Sequence, residues 1–236
     1  MLVRGIMLRG QYELIERCGA GGQGDVWIVK DTGTGMLRAA KISKIPWSER
    51  SDNHHAQMRS AYDKETETLK ALGNRHVVTI IDFFTDNVAL SDGADGESEY
   101  LCQCVVMERA ELGDMGRSSN SGEFRRLPPR DRIDFLKGVA RGLQAAHAVG
   151  ITHCDVKPSN LLLYREPGEI YAKICDFGAA QSAIRGTTAL GTAQYMAPEL
   201  GSGHQATLMS DIFSLGVTFH ELLTGDLPNA KDPYDQ

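Results

Sequence analysis

Ile151-Thr152-His153-Cys154-Asp155-Val156-Lys157-Pro158-Ser159-Asn160, followed sixteen residues later by Asp176-Phe177-Gly178, is the stretch on which the fold turns. It sets out a carboxylate, an ammonium and an amide within a few residues, then adds a second carboxylate. Phosphoryl transfer asks little covalent chemistry of a protein. It needs an acceptor for a hydroxyl proton, a cation on the transferred group, and oxygen ligands for Mg2+. Asp155, Lys157, and Asn160 with Asp176 meet those three needs in that order. An ordinary surface loop would not gather all four groups at these spacings.

Toward the N-terminus, Gly19-Ala20-Gly21-Gly22-Gln23-Gly24-Asp25-Val26 has the form G-x-G-x-x-G-x-V. Glycines allow backbone N–H groups to approach phosphate oxygens without a side-chain clash. Alone the pattern is equally that of a tight turn between strands. A dinucleotide fold requires a helix directly after the glycines, whereas Val26-Trp27-Ile28-Val29 reads as strand. Ala39-Ala40-Lys41-Ile42 is a further strand. Met58, Tyr62, Glu65, Leu69 and Leu72 share one face of a helix. A carboxylate on a buried face needs a cation, because an unpaired buried charge costs several kcal/mol. Lys41 is the natural partner of Glu65, and the pair would aim the ammonium at phosphates.

The remaining patterns set the architecture. Residues 11 to 45 alternate polar and apolar around two glycine clusters, which predicts antiparallel strands with tight turns. The apolar runs Val77–Phe84 and Leu101–Met107 complete a five-stranded sheet. Between them Asp86, Asp92, Asp95, Glu97 and Glu99 read as a solvated loop, their spacing unsuited to calcium. Cys102 and Cys104 are expected on opposite faces of their strand. After Glu108 the composition turns helical, with Met107 to Asp114 as the hinge. Arg117 to Arg130 reads as a loop. Residues 131 to 149 form an amphipathic helix with Ile133, Leu136, Ala140, Leu143 and His147 on its stripe, ended by Gly150. Leu208–Leu223 is a strongly apolar helix expected to be mostly buried. The fold class is therefore α+β and bilobal: a small antiparallel lobe over residues 1–109 and a larger, mainly helical lobe over 110–236.

Composition excludes some classes. A net charge of −6 argues against a nucleic-acid footprint. Five cysteines without a spaced framework fit a reducing compartment. No run approaches the roughly 18 apolar residues of a membrane helix, so the expectation is a cytoplasmic protein with no membrane segment in this chain.

From about Tyr12 to Leu227 the chain resembles a eukaryotic-type serine/threonine protein kinase catalytic domain. The same resemblance takes in Gly191-Thr192-Ala193-Gln194-Tyr195-Met196, then Ala197-Pro198-Glu199, and Ser210-Asp211-Ile212-Phe213-Ser214-Leu215-Gly216. It implies ATP and Mg2+ as cofactors and a protein substrate with a serine or threonine acceptor. Asp155, Lys157, Lys41 and Glu65 would be catalytic, and Asn160 and Asp176 would hold the metal. The glycine turn from Gly19 through Ala20, Gly21, Gly22 and Gln23 to Gly24 would cover the phosphates. Val26 and Ala39 from above and Leu162 from below would sandwich adenine. Met107 would be the gatekeeper, Glu108 and Ala110 hinge main-chain contacts, and Asp114 a neighbour of the ribose. Leu69, Ile80, His153 and Phe177 would stack in a hydrophobic column. Lys157 is the serine/threonine form of the motif.

Three departures accompany the resemblance. Cys154 stands where most of the family has an arginine that reads an activation-loop phosphate. Phe213 replaces a tryptophan. After Gly225-Asp226-Leu227-Pro228 the family adds three more helices, so the larger lobe is expected to lack its last helices and to need a further segment or a partner surface. The alternatives are a nucleotide-binding pseudokinase that regulates by conformation and a small-molecule phosphotransferase.

Overall fold

The computed structural model describes residues 2–21, 24–45, 63–64, 66–91, 97–177 and 192–228. The chain divides into two compact units, Met1–Ala71 with Thr79–Arg109, and Leu72–Val78 with Ala110–Gln236.

In the first unit the strands β1 (Met7–Leu8), β2 (Tyr12–Gly21), β3 (Gly24–Asp31), β4 (Leu37–Lys44), β5 (Ile80–Ser91) and β6 (Glu97–Met107) form an antiparallel sheet in the order β1-β2-β3-β4-β6-β5. Alternation along β3 and β4 turns Trp27, Val29, Ala40 and Ile42 inward, onto a core shared with Leu8, Leu14 and Val106. The sheet has one strand more than expected. β1 forms because Leu8 is buried in this core, while Gly5 N–H donates to Leu14 O at 2.8 Å and Leu14 N–H to Ile6 O at 2.9 Å. The acidic stretch is also not all loop. Asp86, Glu97 and Glu99 lie in β5 and β6, paired with Cys102, Ser91 and Ala89, and Asp92 and Asp95 fall outside the described residues. Cross-strand pairing continues through such residues because Val88 turns inward to anchor the extension. Cys102 and Cys104 share the inner face, as residues two apart on a strand must.

The two ends of the strand order come together. Tyr12 at the start of β2 stacks on Phe84 of β5, ring centroids 5.9 Å apart, and its hydroxyl donates to Asp82 at 3.3 Å. Arg9 lies over Phe84 and pairs with Asp82 at 3.4 Å. Residues 66–71 are helical, with Leu69 buried; Met58, Tyr62 and Glu65 of the expected stripe lie outside the described residues.

The second unit contains α1 (Ser118–Arg126), α2 (Pro129–Ala148), the hairpin β7 (Leu161–Glu166) with β8 (Glu169–Ile174), the one-turn α3 (Pro198–Gly201) and α4 (Leu208–Thr224). α1 occupies part of the stretch read as loop. Its Ser- and Gly-containing sequence has poor helix propensity, and packing overrides it. Phe124 is buried against Phe135 of α2, centroids 5.0 Å apart, and Asn120 donates to Leu112 O and Asp114 O at 3.0 and 2.8 Å.

α2 opens with Pro129 at a first-turn position and is followed by Gly150 in the left-handed region, φ 79°. Its buried residues are Phe135, Leu136, Gly138, Val139, Gly142, Leu143 and Ala146. Ile133, expected on this stripe, is 51% exposed. The inward face is rotated because Gly138 and Gly142 admit His76 against the helix.

α4 departs further from expectation. Thr207 and Ser210 form a reciprocal capping box, and Gly225 ends the helix at φ 97°. Ser210, Asp211, Ser214 and Thr218 are buried beside Leu215, Val217 and Leu222, whereas Met209 is 69% exposed and Ile212 and Phe213 are also exposed. The polar face goes inward because every polar group on it has a partner there.

Candidate active site

The Ile151–Asn160 segment of the second unit is built around a buried anion. Asp211 on α4 is 1% exposed. Its Oδ2 accepts from His153 N–H at 2.7 Å and lies 2.8 Å from His147 Nε2, and its Oδ1 accepts from Cys154 N–H at 2.7 Å. A carboxylate with several N–H donors is the arrangement that makes a buried charge tolerable. It also holds Cys154 at φ 64°, a region that costs a non-glycine residue about 1–2 kcal/mol.

His153 carries this order inward. It is fully buried, and burial pushes its imidazole below the usual range. Asp155 N–H donates to Nδ1 at 3.2 Å, so Nε2 bears the hydrogen and donates to Cys175 O at 2.8 Å. The ring is a neutral spacer between the Asp155 and Asp176 segments. Phe177 packs on it, centroids 4.6 Å apart. Thr218 of α4 donates to Val156 O at 3.2 Å and fixes the next turn.

Asp155 is 5% exposed and is held on both oxygens. Lys157 Nζ donates to Oδ2 at 2.6 Å, and Asn160 Nδ2 reaches the same oxygen at 3.3 Å. Thr192 donates to Oδ1 twice, from N–H at 3.0 Å and from Oγ1 at 3.2 Å. Lys157 Nζ also donates to Thr192 Oγ1 at 2.7 Å, which closes a ring of three side chains. A carboxylate oxygen has two lone pairs, so all four sites are engaged.

Asn160 commits its amide nitrogen to Asp155 O at 2.8 Å, which turns its amide oxygen to the other side as a hard oxygen donor. Its main-chain oxygen accepts from Cys175 N–H at 2.9 Å, so the Asp176 segment is tied to the Asn160 turn. Asp176 itself sits at φ 64°. An amide oxygen and a carboxylate suit Mg2+, which takes one or two protein ligands and completes its shell with phosphate and water. Among the described residues no group of three or more His, Cys, Asp or Glu forms a cage for a metal.

Leu162 bridges to Asp114, and Met115 N–H donates to Leu161 O at 3.0 Å. Asp114 accepts from Gly116 N–H at 2.9 Å and pairs with Arg117 at 3.4 Å. Ala110 lies in the same unit, half-buried.

In the first unit Gly19 pairs with Val26, Ala20 with Asp25 and Gly21 with Gly24; Gly22 and Gln23 lie outside the described residues. Gly24 cannot be another residue. It has φ 131°, and a Cβ there would stand 2.5 Å from Ile42 O. Lys41 lies in β4 between Val26 of β3 and Val105 of β6, and Ala39 is paired with Met107. Glu65 is outside the described residues, so its pairing with Lys41 is too. At the end of β6, Glu108 N–H donates to Thr79 O at 3.0 Å.

Sequence reasoning assigned no role to Thr192, His147 or Thr218, and gave Asp211 only membership in a scaffold helix. The signal for Asp211 was present, a carboxylate in an otherwise apolar run. Thr192 was quoted within a motif, but nothing in its spacing points to Asp155.

A family model described as "Protein kinase domain" matches residues 12–236. The serine/threonine-protein kinase PknA of Mycobacterium tuberculosis is 34% identical over 235 residues, covering 97% of this chain and 50% of PknA. The serine/threonine-protein kinase drp72 of Corynebacterium efficiens is 32% identical over 228 residues, 94% of this chain and 40% of that protein. The serine/threonine-protein kinase PknD of Mycobacterium tuberculosis is 29% identical over 232 residues, 96% of this chain and 32% of PknD. The chain thus spans half or less of the length of these relatives.

Proposed function

The chain belongs to the protein kinase domain family, and from that premise we propose that it transfers the γ-phosphoryl group of ATP, with Mg2+, to serine or threonine hydroxyls of a protein substrate. The observation that carries this reading is the Asp155–Lys157–Thr192 ring, in which a buried carboxylate is oriented by an ammonium and a hydroxyl.

An incoming hydroxyl takes the place of one of the two long contacts on Asp155, from Asn160 or from the Thr192 hydroxyl, and gives its proton to the carboxylate. Lys157 stays beside it, ready to balance charge on the transferred group. Asn160 and Asp176 would hold Mg2+, which supplies electrostatic stabilisation of the triphosphate oxygens. Lys41 is read as the second cation on the phosphates, with Glu65 as its partner. The glycine turn and Val26, Ala39, Met107, Glu108, Ala110, Asp114 and Leu162 are read as the nucleotide's surroundings. Among the described residues no helix is long and apolar enough to cross a membrane; a cytoplasmic site of action is part of this proposal.

The test uses labelled ATP, Mg2+ and a generic protein acceptor. Incorporation into serine or threonine, reduced about 10²–10⁴-fold in Asp155→Asn, is the expected result. Nucleotide binding without transfer would favour a pseudokinase, and transfer confined to small acceptors would favour a small-molecule phosphotransferase; either refutes the proposal.

A further inference from the structure

The corner between α1 and α2 gathers positive charge. Residues 117–141 carry seven basic and three acidic side chains, in a chain whose net charge is −6. Four of the seven are arginines set around the turn itself. Arg125 and Arg126 lie in the last turn of α1, and Arg130 and Arg132 at the start of α2. Only Leu127 and Pro128 separate the helices. Phe124 packs on Phe135, while Leu127 N–H donates to Phe124 O and Arg132 N–H to Pro128 O, both at 3.1 Å, so the corner is firmly held.

These arginines have few partners. Arg125 lies against the end of α4, where a Cβ on Gly225 would stand 3.5 Å from its guanidinium carbon, at the negative end of that helix dipole. Arg130 pairs loosely with Asp134, at 3.9 Å with its own side chain 92% exposed, and such a pair is worth little. Arg126 is exposed and Arg132 half-buried, and neither finds a side-chain acceptor among the described residues. The Nε of Arg132 is shielded from solvent with no partner there. Buried donors in folded proteins nearly always have an acceptor. No acceptor holds this guanidinium in place, and turning it toward an anion would release the unpaired donor.

We propose that Arg126, Arg130 and Arg132 form a docking site for a phosphorylated serine or threonine segment of a protein, its phosphate gripped between guanidinium groups. Residue type decides the ligand. The four cations at this corner are all arginine, whose planar fork matches phosphate bidentately, whereas lysine serves only as a point charge. A lipid surface would want a broad apolar face beside the charge, and Ile133 is the one large exposed apolar side chain among the described residues of 117–141. Arg126 and Arg130 are separated by at most about 14 Å of chain, so their long side chains can close over one phosphate. Phosphoserine and phosphothreonine are what the proposed transfer makes, so the choice of partner rests on that reading; the binding itself is measured without transfer.

The full chain, without ATP, is offered an array of phosphoserine and phosphothreonine peptides, each beside its unphosphorylated twin, and the best pair is titrated by fluorescence anisotropy. The phosphorylated member should bind at least about tenfold more tightly, and less so as salt is raised. Replacing both residues, Arg126→Ala with Arg130→Ala, should erase that preference, with Tm hardly changed because both side chains are exposed. Arg126→Lys with Arg130→Lys should recover only part of it. An array in which no phosphorylated peptide outbinds its twin would overturn the site. So would an alanine variant that keeps the preference, or a lysine variant that binds as tightly as the parent. Attachment to phosphatidylserine vesicles with no preference among the peptides would give the surface to a membrane instead. Should the array succeed while labelled ATP yields no transfer, the docking site stands and the transfer reading fails; the reverse outcome removes the site alone.

Discussion

Replacing Gly142 by alanine tests the packing on which α2 depends. By propensity alone the change would stabilise a helix by up to about 1 kcal/mol. In place, however, the new Cβ would collide with His76 O and stand 3.0 Å from both His76 C and His76 Cβ. Comfortable contact begins near 3.5 Å, so the helix and the 72–78 segment must part by about 1 Å. His76 O cannot yield easily, because it accepts from Ile174 N–H at 2.9 Å, while Val78 N–H donates to Ile174 O at 3.0 Å. A shift of that size carries the first of these bonds past hydrogen-bonding distance and forfeits about 0.5–1.5 kcal/mol. Overpacking adds about 1–3 kcal/mol. After the propensity gain, Gly142→Ala should be destabilised by about 1–3 kcal/mol, a fall in Tm of roughly 2–12 °C for a chain of this length. Urea unfolding followed by circular dichroism reads the first, a thermal melt the second. Gly122→Ala in α1 is the control. Its Cβ meets nothing within 4 Å, so it should be neutral or more stable. A Gly142→Ala protein as stable as the parent would refute the reasoning, since no route to that result leaves His76 seated where it is.

Removing the buried anion should be severe. Asp211→Ala strands the N–H groups of His153 and Cys154 and should lower stability by about 2–5 kcal/mol with loss of transfer; a stability within 0.5 kcal/mol of the parent, a margin of about the size of a surface substitution, would contradict its role. Acid should act through His153. Burial holds its folded pKa below the ordinary 6.5, so the unfolded chain binds the extra proton. Its contribution is therefore intact above pH 6.5 and lost as pH falls below it, by up to about 1.4 kcal/mol per unit. Urea unfolding at pH 7.5 and 5.5 should show a smaller acid loss in His153→Phe than in the parent; equal losses would remove His153 as the cause. In the N-terminal strand, Leu8→Ala should cost about 2–5 kcal/mol because Leu8 is fully buried. Arg9→Ala should cost less than about 1 kcal/mol, its ion pair with Asp82 being exposed on the arginine side. The reverse order in urea midpoints would show that the charge, not the apolar contact, holds that strand.

Much of the candidate site was legible in the chain because its groups are close in sequence. Asp155, Lys157 and Asn160 lie within a short stretch of chain, so local geometry brings the ammonium and the amide to the carboxylate. Gly24 could likewise be named beforehand, since a glycine-rich turn between strands demands backbone freedom. What periodicity could not decide was which face of an element would be covered. The apolar character of α4 was plain in sequence, yet Ser210, Asp211, Ser214 and Thr218 are the residues turned inward, because their hydrogen-bond partners come from segments up to 64 residues away. α1 has little helical propensity and exists because Phe124 finds Phe135. Thr192 reaches Asp155 across 37 residues, a distance at which no spacing rule operates. Sequence determined the chemistry of the groups and the elements that carry them. Tertiary structure decided their partners, because burial and a hydrogen-bond acceptor are properties of what stands opposite a side chain, and what stands opposite is supplied by remote parts of the chain.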